Sequence, residues 1–443
     1  MTRPRRLLEQ LPDGTVRQQS PLTGTVVWTV PGRSHRPITS ALPAPRLLPE
    51  TDRDLTCAFC SGRYRDTPPE SARLVLDPEP AEREPWQILR DVQAEHLNET
   101  AADFRRFPNL FEILPFEYWH ANHGYEIPAE AAARAQRYVA APEGRAHVLA
   151  IARTRLQAAG VSAEEVAATP DTRLLDKAAL LFASSHDVIA AHRHFIEGAT
   201  RDDELASSGD LTLLEHHAFV ALTVDALAQM NRTNPYSRYV VAFQNWLRPA
   251  GASFDHLHKQ LVAIDQYGPL MTRVLGMLGH EPHLFNTALC DPAAQDRLVI
   301  AENEHCIALA GVGHRYPTIE IYSTGVAQLP WEHSPDALRA VSDVLHACHA
   351  ATGRSVPTNE EWHYRPVGAE SAMPWRINLK WRVSTLAGFE GGTKINVNTI
   401  SPFTVRERMV DALIDLRASG RIGPMAIGDE CSHRSKALRY AAG

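Results

Sequence analysis

The stretch NWLRPAGASFDHLHKQ, residues 245–260, carries the densest set of groups able to do chemistry. If its last residues are extended, a period of two puts His256, His258 and Gln260 on one face. Two imidazoles side by side, approached through a turn holding Gly251 and Ser253, suit metal binding or attack on phosphorus. An imidazole is a good nucleophile at neutral pH, and the phosphoramidate it forms is labile enough to pass the group on. Glycine and serine let a backbone and a hydroxyl approach phosphate oxygens. The plainer reading is a pair of strand histidines hydrogen-bonded in a half-buried sheet. With 21 histidines in the chain, a bare HxHxQ is a weak signal by itself. A second signal is Cys57-Ala58-Phe59-Cys60. Thiolates at this spacing can chelate one Zn²⁺ from a tight turn, with two more ligands from elsewhere. No βαβ pattern surrounds the pair, which argues against a thioredoxin-like redox role.

The elements that must position these groups can be read from the same chain. Residues 25–30 form a short β-rich run between turns marked by Pro21, Gly24 and Gly32. Residues 40–95 are Pro-rich and read as irregular, a setting in which a structural metal helps most. The Ala-rich stretch from about Ala129 to Leu181 is helical in character, with Ser162 and Glu165 as a capping box. Thr212 and Glu215 open a second helix running to about Met230, and residues 239–244 and 256–264 then read as strands. The second half repeats the order: strands around Ile307 and over 318–323, a helix from Ser334-Pro335 to Gly353, and a strand over 375–383. A last helix opens with Thr404 and Glu407 and ends near Gly420. The repeat of strand–strand–helix–strand predicts an α+β fold built by duplication of one unit.

Composition limits the function classes. Hydrophobic residues make up 44% and charged residues 22% of 443, an ordinary globular balance. A formal net charge of -7 argues against non-specific nucleic-acid binding. No run nears the roughly 18 apolar residues of a membrane span, and the basic start turns polar too soon for a signal peptide. A cytoplasmic location is the expectation. Six cysteines in a chain this long do not make a disulfide scaffold.

Taken in order, these pieces resemble the galactose-1-phosphate uridylyltransferase family, a branch of the histidine-triad superfamily. PLTGTVVWTVPGRSHRP resembles the family's Asn-Pro-Leu-Thr-Gly-Glu-Trp-Val stretch and its Arg-x-x-Arg-Pro, with Ser20 in place of Asn and the arginines at Arg33 and Arg36. CAFCSG is similar to its zinc-binding CxxC, and FPNLFEIL (107–114) to the Asn-x-Phe-Pro-Ala-Leu start of a strand. NWLRPAGASFDHLHKQ matches its Asn-x5-Gly-x-Ser-x2-His-Pro-His-x-Gln without a gap, Leu257 replacing proline. The resemblance implies two tandem histidine-triad-like units, each an antiparallel sheet with packed helices, spanning residues 1–282 and 283–443. It implies His258 as nucleophile with Gln260 assisting at the phosphate. Asn245, Gly251 and Ser253 would line the nucleotide-phosphate pocket, with Arg33 and Arg36 near the phosphates. A structural zinc would be held by Cys57, Cys60, His256 and a third-ligand histidine, best filled by His194, with His120 and His123 as rivals.

The chain also departs from that pattern. A helical insertion occupies about residues 116–180, its role open. EEWHYRP (360–366) resembles the family's Gly-Trp-His-Gly segment, so His363 would be a second-metal ligand, yet Asn378-Leu379-Lys380 stands where His-x-His should follow. No second metal is therefore expected. Glu390 in AGFEGG resembles the family's hexose-contacting glutamate, while Ser384 replaces the lysine just upstream. The resemblance implies a nucleotidyltransferase acting on a nucleoside diphosphate sugar and a sugar-1-phosphate, with a homodimer compatible. The rivals are a nucleotide-sugar phosphorylase or hydrolase using the same His258, and a non-catalytic nucleotide-binding homologue.

Overall fold

Short β-branched and aromatic runs, bounded by turn residues, make sixteen strands among the described residues of the computed structural model, which are 6–32, 44–77, 85–384, 386–432 and 436–441. The first half holds β1 (Leu8–Gln10), β2 (Val16–Gln19), β3 (Val26–Thr29), β4 (Ala72–Leu76) and β5 (Trp86–Leu89). It continues with β6 (Phe104–Pro108), β7 (His186–Ala191), β8 (Tyr239–Trp246) and β9 (His258–Ile264). The second half adds β10 (Val299–Glu302), β11 (Cys306–Ala310), β12 (Thr318–Ser323) and β13 (Thr358–His363). Then come β14 (Arg376–Trp381), β15 (Ile395–Asn398) and β16 (Ala426–Ile427). Strands β1, β2, β3 and β15 form a small sheet in which β15 runs parallel to β3.

The other twelve strands make one antiparallel sheet in the order β16-β10-β11-β12-β14-β13-β8-β9-β7-β6-β4-β5. This order is symmetric about the β8–β13 junction. The pair β13–β14 holds the place on one side that β8–β9 holds on the other, and a long helix precedes each pair. The fold is thus mixed α+β, as the alternation of patterns predicts.

Those two helices cover one face of the sheet. Leu213–Thr233 starts on a capping box, Thr212 Oγ accepting from the Glu215 amide at 3.2 Å and the Glu215 carboxylate accepting from the Thr212 amide at 2.7 Å. Pro335–Thr352 is capped by Ser334. Phe219, Leu222, Leu227, Val344 and Leu345 are fully buried between helices and sheet, each contributing roughly 1.5–3 kcal/mol of hydrophobic stabilisation. Lys259 points into this layer, wholly buried with Glu360 as its ion-pair partner. Since successive strand residues face opposite ways, Lys259 on the helix side sends His258 and Gln260 to the other face.

Several boundaries differ from the sequence expectation. The Pro-rich stretch read as irregular contains β4 and β5, which pair with each other; each is too short to show a period. The strand expected over 256–264 starts at His258, because His256 bends out and its carbonyl takes the His258 Nδ1–H bond instead of a ladder partner. Strand β6 stops at Pro108, where Asn109 Oδ1 accepts the Phe111 amide and begins a turn. The last helix is Pro402–Ala418, capped by Ser401, so Thr404 is the residue whose amide is capped rather than the opener. The insertion forms five helices, Phe116–His123, Ala129–Ala140, Pro142–Ala158, Ala163–Ala168 and Asp171–Leu175. A small separate core with Tyr138, Val148, Ile151 and Leu181 holds this region together.

Candidate active site and metal cluster

The loop between β8 and β9 is shaped for close approach. Gly251 sits at φ +91, a left-handed conformation that a side chain would strain, and a Cβ there would stand 4.0 Å from Asn245 Nδ2. Asn359 of β13 fastens the loop by donating to Asn245 Oδ1 and to the Ala250 carbonyl, both at 2.7 Å. Ser253 is exposed at the loop tip. Asn245, near the end of β8, thus stands beside the loop that carries Gly251 and Ser253 into the strand of His258.

His258 lies opposite Ala190 of β7 and is only 4% exposed. Its Nδ1 bonds the His256 carbonyl at 2.7 Å, and since a carbonyl only accepts, Nδ1 carries the proton. Nε2 is then the lone-pair nitrogen. It makes no hydrogen bond among the described residues. Phe59 packs edge-on at 5.3 Å and lies in turn tilted against Phe254 at 4.4 Å. Burial in these apolar surroundings pulls the ring's pKa down to about 4, so the imidazole is neutral at neutral pH.

Gln260 is set by a residue that the sequence reading did not single out. His186 Nδ1 accepts from the Ile113 amide at 3.2 Å, and its Nε2 lies 3.1 Å from both Gln260 Oε1 and Asn109 Nδ2. With Oε1 turned to His186, the Gln260 NH₂ faces away from that ring. His186 begins strand β7, and its role depends on cross-strand register that no local pattern reveals.

Beside this pair, Cys57, Cys60, His194 and His256 bring their ligand atoms within 4.8 Å of one another. The sulfurs are 3.7 Å apart, and the sulfur–nitrogen separations are 3.5 Å (Cys57–His256), 3.3 Å (Cys60–His194) and 3.7 Å (Cys60–His256). A tetrahedral ion with bonds of roughly 2.3 Å to sulfur and 2.0–2.1 Å to nitrogen has edges of about 3.8 and 3.6 Å. The donor set fits such an ion. His256 Nε2 donates to the Ala191 carbonyl at 2.6 Å, leaving the Nδ1 lone pair aimed at the sulfurs. The close sulfurs divide one proton unequally: hydrogen bonding from Cys57 holds Cys60 far down, and the same contact pushes Cys57 up.

The remaining predicted residues lie elsewhere. His120 bonds the Tyr125 carbonyl and His123 bonds Asp265, so neither joins the cluster. His363 stands 3.6 Å from Glu361, whose carboxylate is held by Lys380 at 2.6 and 2.7 Å. Glu390 accepts the Ala387 amide at the start of the short Gly388–Thr393 helix, its nearest described polar partner. Arg33 and Arg36 are outside the described residues.

This arrangement of strands is shared with solved structures. An ADP-glucose phosphorylase from Arabidopsis thaliana, determined with bound ADP-glucose, superposes with a TM-score of 0.54 at 18% identity, covering 89% of this chain and 97% of that one. A GalT-like protein from the same plant gives 0.53 at 16% identity, covering 89% and 98%. In sequence, an ADP-glucose phosphorylase of Arabidopsis thaliana is 26% identical over 196 residues, 42% of this chain and 54% of that protein, so the match spans about half the relative's length. The fold is that of the galactose-1-phosphate uridylyltransferase-like proteins, and with residues 11–440 matched the chain belongs to the family described as "Domain of unknown function (DUF4921)".

Proposed function

We propose that the protein is a nucleotidyltransferase acting on nucleoside diphosphate sugars through a covalent nucleotidyl-His258. The supporting observation is the tautomer of that ring: Nδ1–H is tied to a carbonyl and a neutral Nε2 is left free. In the first step Nε2 attacks the α-phosphorus, the bond from phosphorus to the bridging oxygen breaks, and sugar-1-phosphate leaves. In the second, a phosphate oxygen of the acceptor attacks the same phosphorus, the P–N bond breaks, and His258 returns neutral. The Gln260 amide and the backbone of the Gly251 loop would donate to the phosphoryl oxygens.

Cys57, Cys60, His194 and His256 would hold a structural Zn²⁺. Four protein donors complete its shell, so the ion would supply rigidity. The residue whose ring would join that shell also lends its carbonyl to His258 Nδ1, which ties the nucleophile's orientation to the cluster.

A second reading, in which inorganic phosphate is the acceptor and a nucleoside diphosphate the product, is favoured by the likeness to ADP-glucose phosphorylase. Both readings predict that labelled glucose-1-phosphate exchanges into UDP-glucose or ADP-glucose with no other acceptor present. In His258→Ala the exchange should fall by about a thousandfold or more while the fold is retained. Failure of the wild-type protein to exchange with either sugar nucleotide would contradict both.

A further inference from the structure

A cavity lies on the same sheet face as His258, over the strand pair β13–β14. It has a volume of about 310 Å³, at the small end of ligand-sized pockets. Alternation places Arg376, Asn378 and Lys380 of β14 and Asn359 and Glu361 of β13 on this face, and all five line the cavity. The register aligns Asn245, Asn359 and Lys380 across three neighbouring strands. Lys380 thus stands three strand steps from His258, roughly 14 Å at the usual spacing. The two sites are separate.

The charges in this cavity are unbalanced. Lys380 is taken by Glu361, and Glu320 is taken by His314 at 2.5 Å and the Tyr322 hydroxyl at 2.8 Å. That leaves Arg315, Arg376 and Arg382 with no carboxylate partner among the described residues. Arg376 is the strongest case. It is 2% exposed, its side chain makes no hydrogen bond or ion pair among the described residues, the ring of Phe285 lies at 5.4 Å, and Glu320 is the nearby carboxylate that feels its charge. A sealed guanidinium nitrogen without a partner, here Arg376 Nε, is costly, and the planar fork matches the oxygens of phosphate. Arg382 donates one N–H to Asn359 Oδ1 and has a buried, unpartnered Nε.

We propose that this cavity is a second, non-catalytic site that binds a phosphate group, either inorganic phosphate or the phosphate of a small phosphorylated sugar, with Arg376 as its principal anchor. Asn359 links it to the Gly251 loop, because the side chain that receives Arg382 also holds Asn245 and the Ala250 carbonyl.

Calorimetric titration of the full chain with inorganic phosphate and, in a second arm, glucose-1-phosphate tests this. Binding should persist in the double variant His258→Ala, Gln260→Ala, which removes both catalytic-site side chains and separates it from the catalytic proposal. In Arg376→Met it should weaken by about tenfold or more, the loss of charge-assisted hydrogen bonds. The arm with the tighter binding identifies the form recognised. Phosphate should also raise the melting temperature of the wild-type protein, and raise that of Arg376→Met less at the same concentration. Should Arg376→Met fail to fold, Arg382→Gln takes its place, with the same weakening expected. Wild-type affinity in a folded arginine variant, or loss of all phosphate binding in the double variant, would overturn the proposal.

Discussion

At His258 one hydrogen bond decides which nitrogen can react. The His256 carbonyl takes the Nδ1 proton, so the reactive lone pair is on Nε2. His256 has two duties, since its ring belongs to the Cys57, Cys60, His194 cluster. Cys57→Ala should therefore lose bound metal, measured by elemental analysis, and lower stability by roughly 3 kcal/mol or more in a denaturant melt. Full metal content in that variant would remove the cluster's assigned role. The residues of this site were legible where they lie in one contiguous stretch, 245–260, because a strand period and a glycine turn are local signals. His186 and Asn359 were not. Each reaches the site through pairing with a strand distant in sequence, and register leaves no mark in a single chain.

Strand β9 is held from behind by a buried charge network. Lys259 pairs with Glu360, which also receives His349 Nε2 at 2.7 Å and Trp362 Nε1 at 2.5 Å. Removing the cation strands a carboxylate in the interior. Lys259→Met should cost about 3–5 kcal/mol in chemical denaturation, and adding Glu360→Gln should recover part of the loss. If the double variant were as unstable as the single one, lost packing rather than charge would explain it. At this scale the long helices were legible because their caps are written in sequence, Thr212 with Glu215 and Ser334 with Pro335. Strands β4 and β5 were hidden, since five and four residues beside prolines carry no readable period.

Across the molecule, β8 of the first half pairs with β13 of the second, and one continuous core of buried residues runs beneath both. The mixed α+β class was visible in the sequence; the joining of β8 to β13 in one sheet was not, because hydrophobic patterns do not say which edges meet. The shared core predicts a single cooperative unfolding transition in calorimetry, with van't Hoff and calorimetric enthalpies equal. Two separated transitions would mean that the halves are independently stable. No described helix is long and apolar enough to cross a membrane. The proposed nucleotidyl transfer depends on bond formation at one nitrogen, which tandem mass spectrometry of the protein mixed with UDP-glucose or ADP-glucose reads directly. The predicted result is an acid-labile nucleoside monophosphate on His258 that is absent from His258→Ala. An adduct on another residue, or one that survives in His258→Ala, would contradict it.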